Sequence, residues 1–140
     1  MLSLLINNEF SRLRSVLLGI AHSNGPVPSI EDCYDPSSLQ HVRSGTYPVE
    51  ADMSFEMAAV LAVFKKYEVQ VFRPSIIENC NQIFARDIAF VIEDKFIKSN
   101  ILPERDQEIN ALESLFKLIA PENIIVFPEE CHVEGGDVIV

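Results

Sequence analysis

The order in which short apolar runs alternate with helical stretches constrains this chain more than any single motif. Arg14 to Ala21 (Arg-Ser-Val-Leu-Leu-Gly-Ile-Ala) is bounded by polar residues and turn formers, which predicts a buried strand. His22 to Pro48 carries Gly25, Pro26, Pro28, Pro36, Gly45 and Pro48 among Ser and Asp residues. That composition predicts a long irregular excursion, of the kind that is functional or mobile in compact domains. Asp52 to Tyr67 reads as a helix, N-capped by Asp52, with Met57, Val60, Leu61 and Phe64 recurring at helical spacing as its core face. Val69 to Phe72 is a strand that stops at Pro74. Ile88 to Ile92 and Phe96 to Lys98, joined by the polar Glu93-Asp94-Lys95, read as a hairpin. A second helix is predicted over Glu104 to Ile119, with Ile109, Leu112, Leu115, Phe116 and Ile119 on one apolar face. Ile124 to Phe127 is a strand ended by Pro128, and Val138-Ile139-Val140 starts another. The sum is a repeating α/β module. Because Val140 falls inside a run that reads as a strand, the expectation is a piece of a longer polypeptide.

Charge narrows the partners. Eleven basic against 21 acidic residues give a formal charge of −10. Phosphate neutralisation needs clustered Lys and Arg, so the charge argues against nucleic acid as a partner, and anionic membrane surfaces are disfavoured for the same reason. An acidic balance suits a small cationic substrate, although solubility alone explains most acidic proteins. No apolar run approaches the ~20 residues of a membrane helix. The opening Met1-Leu-Ser-Leu-Leu-Ile lacks the basic n-region of a secretory signal. Cys33, Cys80 and Cys131 are too widely spaced for a disulfide framework or a zinc motif, which points to a reducing cytoplasm.

The candidate chemistry lies in acids at strand ends. Asp87 follows Arg86 at the mouth of the apolar hairpin strand, and Glu134 and Asp137 flank Gly135-Gly136. Carboxylates match the forked N–H donors of a planar guanidinium, so two or three such acids converging on one cleft would bind one. On spacing alone the plainer reading is the stronger: Arg86 and Asp87 pair locally, and Glu-Gly-Gly-Asp is a solvated turn.

A resemblance shifts that balance. Asn81-Gln82-Ile83-Phe84-Ala85-Arg86-Asp87 is similar to the Asn-x-x-Phe-x-Arg-Asp signature of the guanidino-group-modifying superfamily of arginine deiminases, dimethylargininases and amidinotransferases. His132-Val133-Glu134-Gly135-Gly136-Asp137 resembles that superfamily's Glu-Gly-Gly-Asp segment. Pro103 to Glu108 resembles a stretch in which an Arg precedes a Glu by three positions at a helix start, and Glu9 to Gly19 fits the family's first strand. Four motifs in order cover nearly the whole chain.

The resemblance implies the pentein α/β propeller, with ββαβ modules around a pseudo-fivefold axis, of which residues 1–140 would be the N-terminal part of a single catalytic domain, incomplete at the C-terminal end. It implies Asp87 and Glu134 as guanidinium-binding acids, Asp137 as an orienting or substrate contact, and Asn81 and Arg105 as contacts to the amino-acid end of the substrate. Arg86 is read as structural. It further implies a Cys nucleophile that forms a covalent amidino intermediate and a His acting as general acid and base, both expected beyond Val140, with no cofactor or metal. Glu-Gly-Gly-Asp is closer to the hydrolases, whereas Arg86-Asp87-Ile88 and the long Pro-containing first loop look more like amidinotransferases, and the lean is to an amidinotransferase. The alternatives are a hydrolase of the same superfamily and, in another class, a non-catalytic guanidino-binding protein. The oligomeric state is not legible. For the 140 residues alone the expectation is no catalysis and poor solubility.

Other candidates fall away. Cys131 and His132 are adjacent on an extended segment and point to opposite faces, so they do not address one substrate atom. Cys80 is read as a small buried thiol. His22 and His41 lie in the excursion and read as surface residues. His132, Glu134 and Asp137 match no common metal spacing.

Overall fold

The computed structural model describes residues 1–33 and 35–140, the side chain of residue 104 excepted. Strand β1 (Ser15–Leu17) runs parallel to β2 (Gln70–Phe72), Ser15 lying opposite Gln70 and Leu17 opposite Phe72. Parallel neighbours require a crossover. Helices α1 (Pro36–Ser44) and α2 (Glu50–Lys66) lie within it. A single turn, α3 (Ala85–Ile88), then feeds β3 (Ala89–Ile92), which pairs antiparallel with β4 (Lys95–Lys98). A 3-10 turn (Pro103–Arg105), α4 (Gln107–Asn110) and α5 (Glu113–Phe116) carry the chain to β5 (Ile124–Val126), parallel to β4. The result is a mixed α/β fold with sheets ordered β1-β2 and β3-β4-β5.

Both sheets feed one core. Ile88, Ala89, Phe96, Ile101, Leu112, Leu115 and Ile119 form its buried centre, and Leu17 and Phe72 from the first sheet pack against it. Leu2 and Leu4 also reach this cluster, tied down by the Leu2 N–H donating to Leu118 O at 2.6 Å and by an Ile6–Glu93 bridge.

Four expectations need correction. The excursion from His22 to Pro48 is not irregular throughout, because α1 forms inside it. Asp35 is its N-cap, accepting from the Ser38 N–H at 2.8 Å, Pro36 supplies the preset φ of the first turn, and Gly45 closes the helix at φ +67°. Asp52 does not cap α2. The cap position is Val49, which offers no side-chain acceptor, and Asp52 sits in the first turn, where its charge favours the helix dipole. The second long helix is broken, with Ala111 and Leu112 between its two short pieces in a tightened turn (ψ −11° and 4°). Gly135–Asp137 is a 3-10 turn, and Val138 to Val140 is extended without being a paired strand.

The apolar face assigned to α2 is corrected as well. No residue of α2 is buried: Met57, Leu61 and Phe64 are half-covered and Val60 is exposed. A helix of 17 residues overhangs two strands of three residues each, so most of its surface finds nothing to pack against.

Candidate functional site

The Arg86-Asp87 turn is placed by backbone contact as much as by side chains. Ile20 N–H donates to Gln82 O at 3.0 Å, bringing the chain after β1 against the segment before α3. A Cβ on Gly19 would lie 2.0 Å from Ile83 O, so only glycine permits this approach. Gln82 is buried and bridges the loop internally, accepting from the Ile77 N–H at 2.8 Å and donating to Ser75 O at 2.9 Å. Asn81 accepts from the Ile83 N–H at 3.2 Å, which makes its side chain part of the same local turn.

Arg86 fastens this turn to the Gly-Gly segment. Its Nε donates to Gly135 O at 2.8 Å and its Nη2 to Val138 O and to Glu9 Oε1 at 3.0 Å. The Arg86 hydrogen bond, seconded by the Val140 N–H, holds the Glu9 carboxyl below the usual range. Gly135 packs so closely that a Cβ there would meet Arg86 O at 2.1 Å, and one on Gly136 would meet Asp87 Oδ1 at 3.0 Å. The two glycines therefore serve a close approach between segments that are distant in sequence.

That approach gathers the acids around Arg105. Its Nε and Nη2 donate to the two oxygens of Glu108 at 2.7 and 3.1 Å, a bidentate pair formed one helical turn apart. Nη1 donates to Asp87 Oδ2 at 3.0 Å and lies 3.8 Å from Glu134 Oε1. Exposure grades outward along the cluster, from 4% for the Glu108 side chain and 11% for Arg105 to 22% for Asp87 and 37% for Glu134. Burial pushes the Glu108 carboxyl up. Arg105 pulls against this, and the charges of Asp87 and Glu134 add to the rise. For Arg105, burial lowers the pKa but the bonds and charges of Glu108 and Asp87 outweigh it, so the guanidinium stays charged.

Of the residues singled out in the sequence, Asp87, Arg105 and Glu134 come together. Asp137 is exposed on the 3-10 turn, and its side chain takes no part in the ion pairs around Arg105. Asn81 is held in its own turn. Glu108 was not singled out, yet it is the most buried member; its signal was the three-residue spacing from Arg105 at a helix start.

Among the cysteines, Cys80 is buried. Burial raises its thiol and the nearby Glu108 charge adds to that, with Arg105 and Gln107 opposing. Cys131 and His132 are exposed. His22 pairs with Glu50 at 3.2 Å and His41 contacts the Thr46 hydroxyl at 2.9 Å. Among the described residues, no group of three or more His, Cys, Asp or Glu is arranged to hold a metal ion, and no helix is long and apolar enough to cross a membrane.

The mixed α/β architecture is similar to that of two solved amidinotransferases. The chain superposes on the inosamine-phosphate amidinotransferase of Streptomyces griseus with a TM-score of 0.65 at 21% identity, over 91% of its own length and 44% of that chain. On an amidinotransferase of the saxitoxin biosynthetic pathway from Microseira wollei the TM-score is again 0.65, at 19% identity, over 89% and 43%. The chain thus spans less than half the length of either. No protein-family model matches it, and no curated protein does.

Proposed function

We propose that the chain is the N-terminal portion of a pentein-type catalytic domain that modifies guanidino groups, and that its contribution is half of the substrate site. Asp87 and Glu134 hold the substrate guanidinium, Asp137 at the rim orients it, and the Asn81 turn lines the approach. One observation carries this reading. Arg86 and the two glycines bring Asp87 and Glu134, from motifs far apart in sequence, to within 3.0 and 3.8 Å of one nitrogen. Three carboxylates against one internal cation leave a surplus of two negative charges, suited to a cationic guanidinium.

The chemistry is completed by a Cys thiolate and a His from chain outside these residues. The thiolate adds to the guanidinium carbon while the His protonates the departing amine, leaving an amidino group on sulfur. An acceptor amine, deprotonated by the same His, then takes that group and releases the thiolate. Fixed carboxylates keep the guanidinium charged and in line throughout. The choice of amine over water as acceptor follows the lean of the sequence motifs, and both structural neighbours are amidinotransferases. The test assays the protein joined to the rest of its coding sequence. Amine-dependent release of ornithine from arginine is expected. Citrulline alone would move the protein to the hydrolases, and tight arginine binding without turnover would make it a binding protein.

A further inference from the structure

We infer that Arg105 is an internal counter-ion and not a receptor for a substrate carboxylate, so this half-site selects ligands by their guanidinium end and accepts guanidino compounds whose carboxylate is masked or missing. The inference rests on the guanidino reading above and sharpens it to a ligand class.

The donor inventory of Arg105 is the first ground. A guanidinium has five N–H groups, and bidentate capture of a carboxylate uses two parallel ones along one edge. The Nε/Nη2 edge is taken by Glu108 at 2.7 and 3.1 Å, and Nη1 is bonded to Asp87 at 3.0 Å. The second ground is access. The Arg105 side chain is 11% exposed and its Glu108 partner 4%, so neither can swing out without baring a buried charge. The third is electrostatic. A carboxylate approaching the remaining N–H groups would meet Asp87 and Glu134, whose oxygens lie 3.0 and 3.8 Å from the same nitrogen. Two acids facing outward repel an anion and attract a cation. The overall charge of −10 acts in the same direction.

The experiment titrates the protein joined to the rest of its coding sequence with L-arginine, L-argininamide and agmatine by calorimetry, in matched salt and without acceptor amine. The amide and agmatine are expected to bind at least as tightly as arginine. Glu134→Gln removes one of the two outward-facing acids beside Arg105 Nη1 and should move the argininamide-to-arginine ratio severalfold toward arginine. Arginine binding about tenfold tighter than its amide to the unmodified protein, with the preference lost in Arg105→Met, would overturn the inference while leaving the guanidino site intact. An unchanged ratio in a folded Glu134→Gln variant overturns it as well; if that variant unfolds, the unmodified protein decides. Failure of all three ligands to saturate would overturn both the inference and the guanidino reading on which it rests.

Discussion

The two crossovers of this molecule bury their apolar residues in opposite ways. Helix α2 is regular over 17 residues, yet it buries none of them and leaves Phe55 80% exposed. The segment from Pro103 to Phe116 is broken into a 3-10 turn and two single-turn helices, yet it contributes Leu112, fully enclosed, and Leu115 to the core. Helix regularity is a local property, set by propensity and spacing, whereas burial depends on how much sheet lies underneath. The second segment lies over the wider sheet and bends to fit it. Those bends also turn Arg105 and Glu108 inward, so the irregular half is the one that carries the candidate site.

That contrast makes mutational effects unequal. Glu108→Ala strands Arg105 in a nearly closed environment and is expected to cost about 3–5 kcal/mol, the usual penalty for removing one partner of a buried pair, measured by urea denaturation. Leu112→Ala should cost about 2–5 kcal/mol by loss of burial and a residual cavity, whereas Leu61→Ala in α2 should cost clearly less in the same titration. Equal losses at Leu112 and Leu61 would erase the contrast. Asp35→Ala should remove about 1 kcal/mol with the N-cap of α1.

The pH dependence separates the two halves by sign. Asp35 has its carboxyl held low, first by the Ser38 side chain and then by the Ser38 N–H. Its contribution is therefore present above the unfolded carboxylate pKa of about 4, and it fades as pH falls through the lower folded value. Glu108 is raised, chiefly by burial. The part of its contribution linked to protonation is present below about pH 4.3 and is lost as pH rises through the folded value. Stability–pH curves of Asp35→Ala and Glu108→Gln, each set against the parent chain, should differ in opposite directions across these windows. The smallest effect belongs to Phe55→Ser, within about 0.5 kcal/mol in stability. Its expected readout is reduced self-association in analytical ultracentrifugation, because an exposed apolar face is an association liability.

Much of this organisation was legible in the sequence. The apolar runs gave β1, β2, the hairpin and β5 to within a few residues, because short buried strands are bounded by turn formers whose chemistry is local. Helix α1 was missed, because its caps at Asp35-Pro36 and Gly45 are masked by the surrounding Pro and Gly residues. The break at Ala111-Leu112 was not legible, since an unbroken apolar periodicity fits either a straight helix or a bent one laid over a twisted sheet. In the candidate site, Asp87 and Glu134 were singled out through motifs. Arg105 and Glu108 carried the i, i+3 signal of an ion pair. The tie from Arg86 to Glu9 and Val138 joins three separated segments, and no local pattern reports such a contact.

The Arg86 tie bears on how this protein would respond to blind mutagenesis. The Arg86 guanidinium ties the Asp87 turn to the Glu134 turn, so its loss would loosen the register between two acids without altering either. A screen scored on ligand recognition would rank Arg86 beside the acids themselves. Only variants that restore the spacing by other means, such as a covalent staple between the two turns, would separate a residue that measures the gap from those that use it.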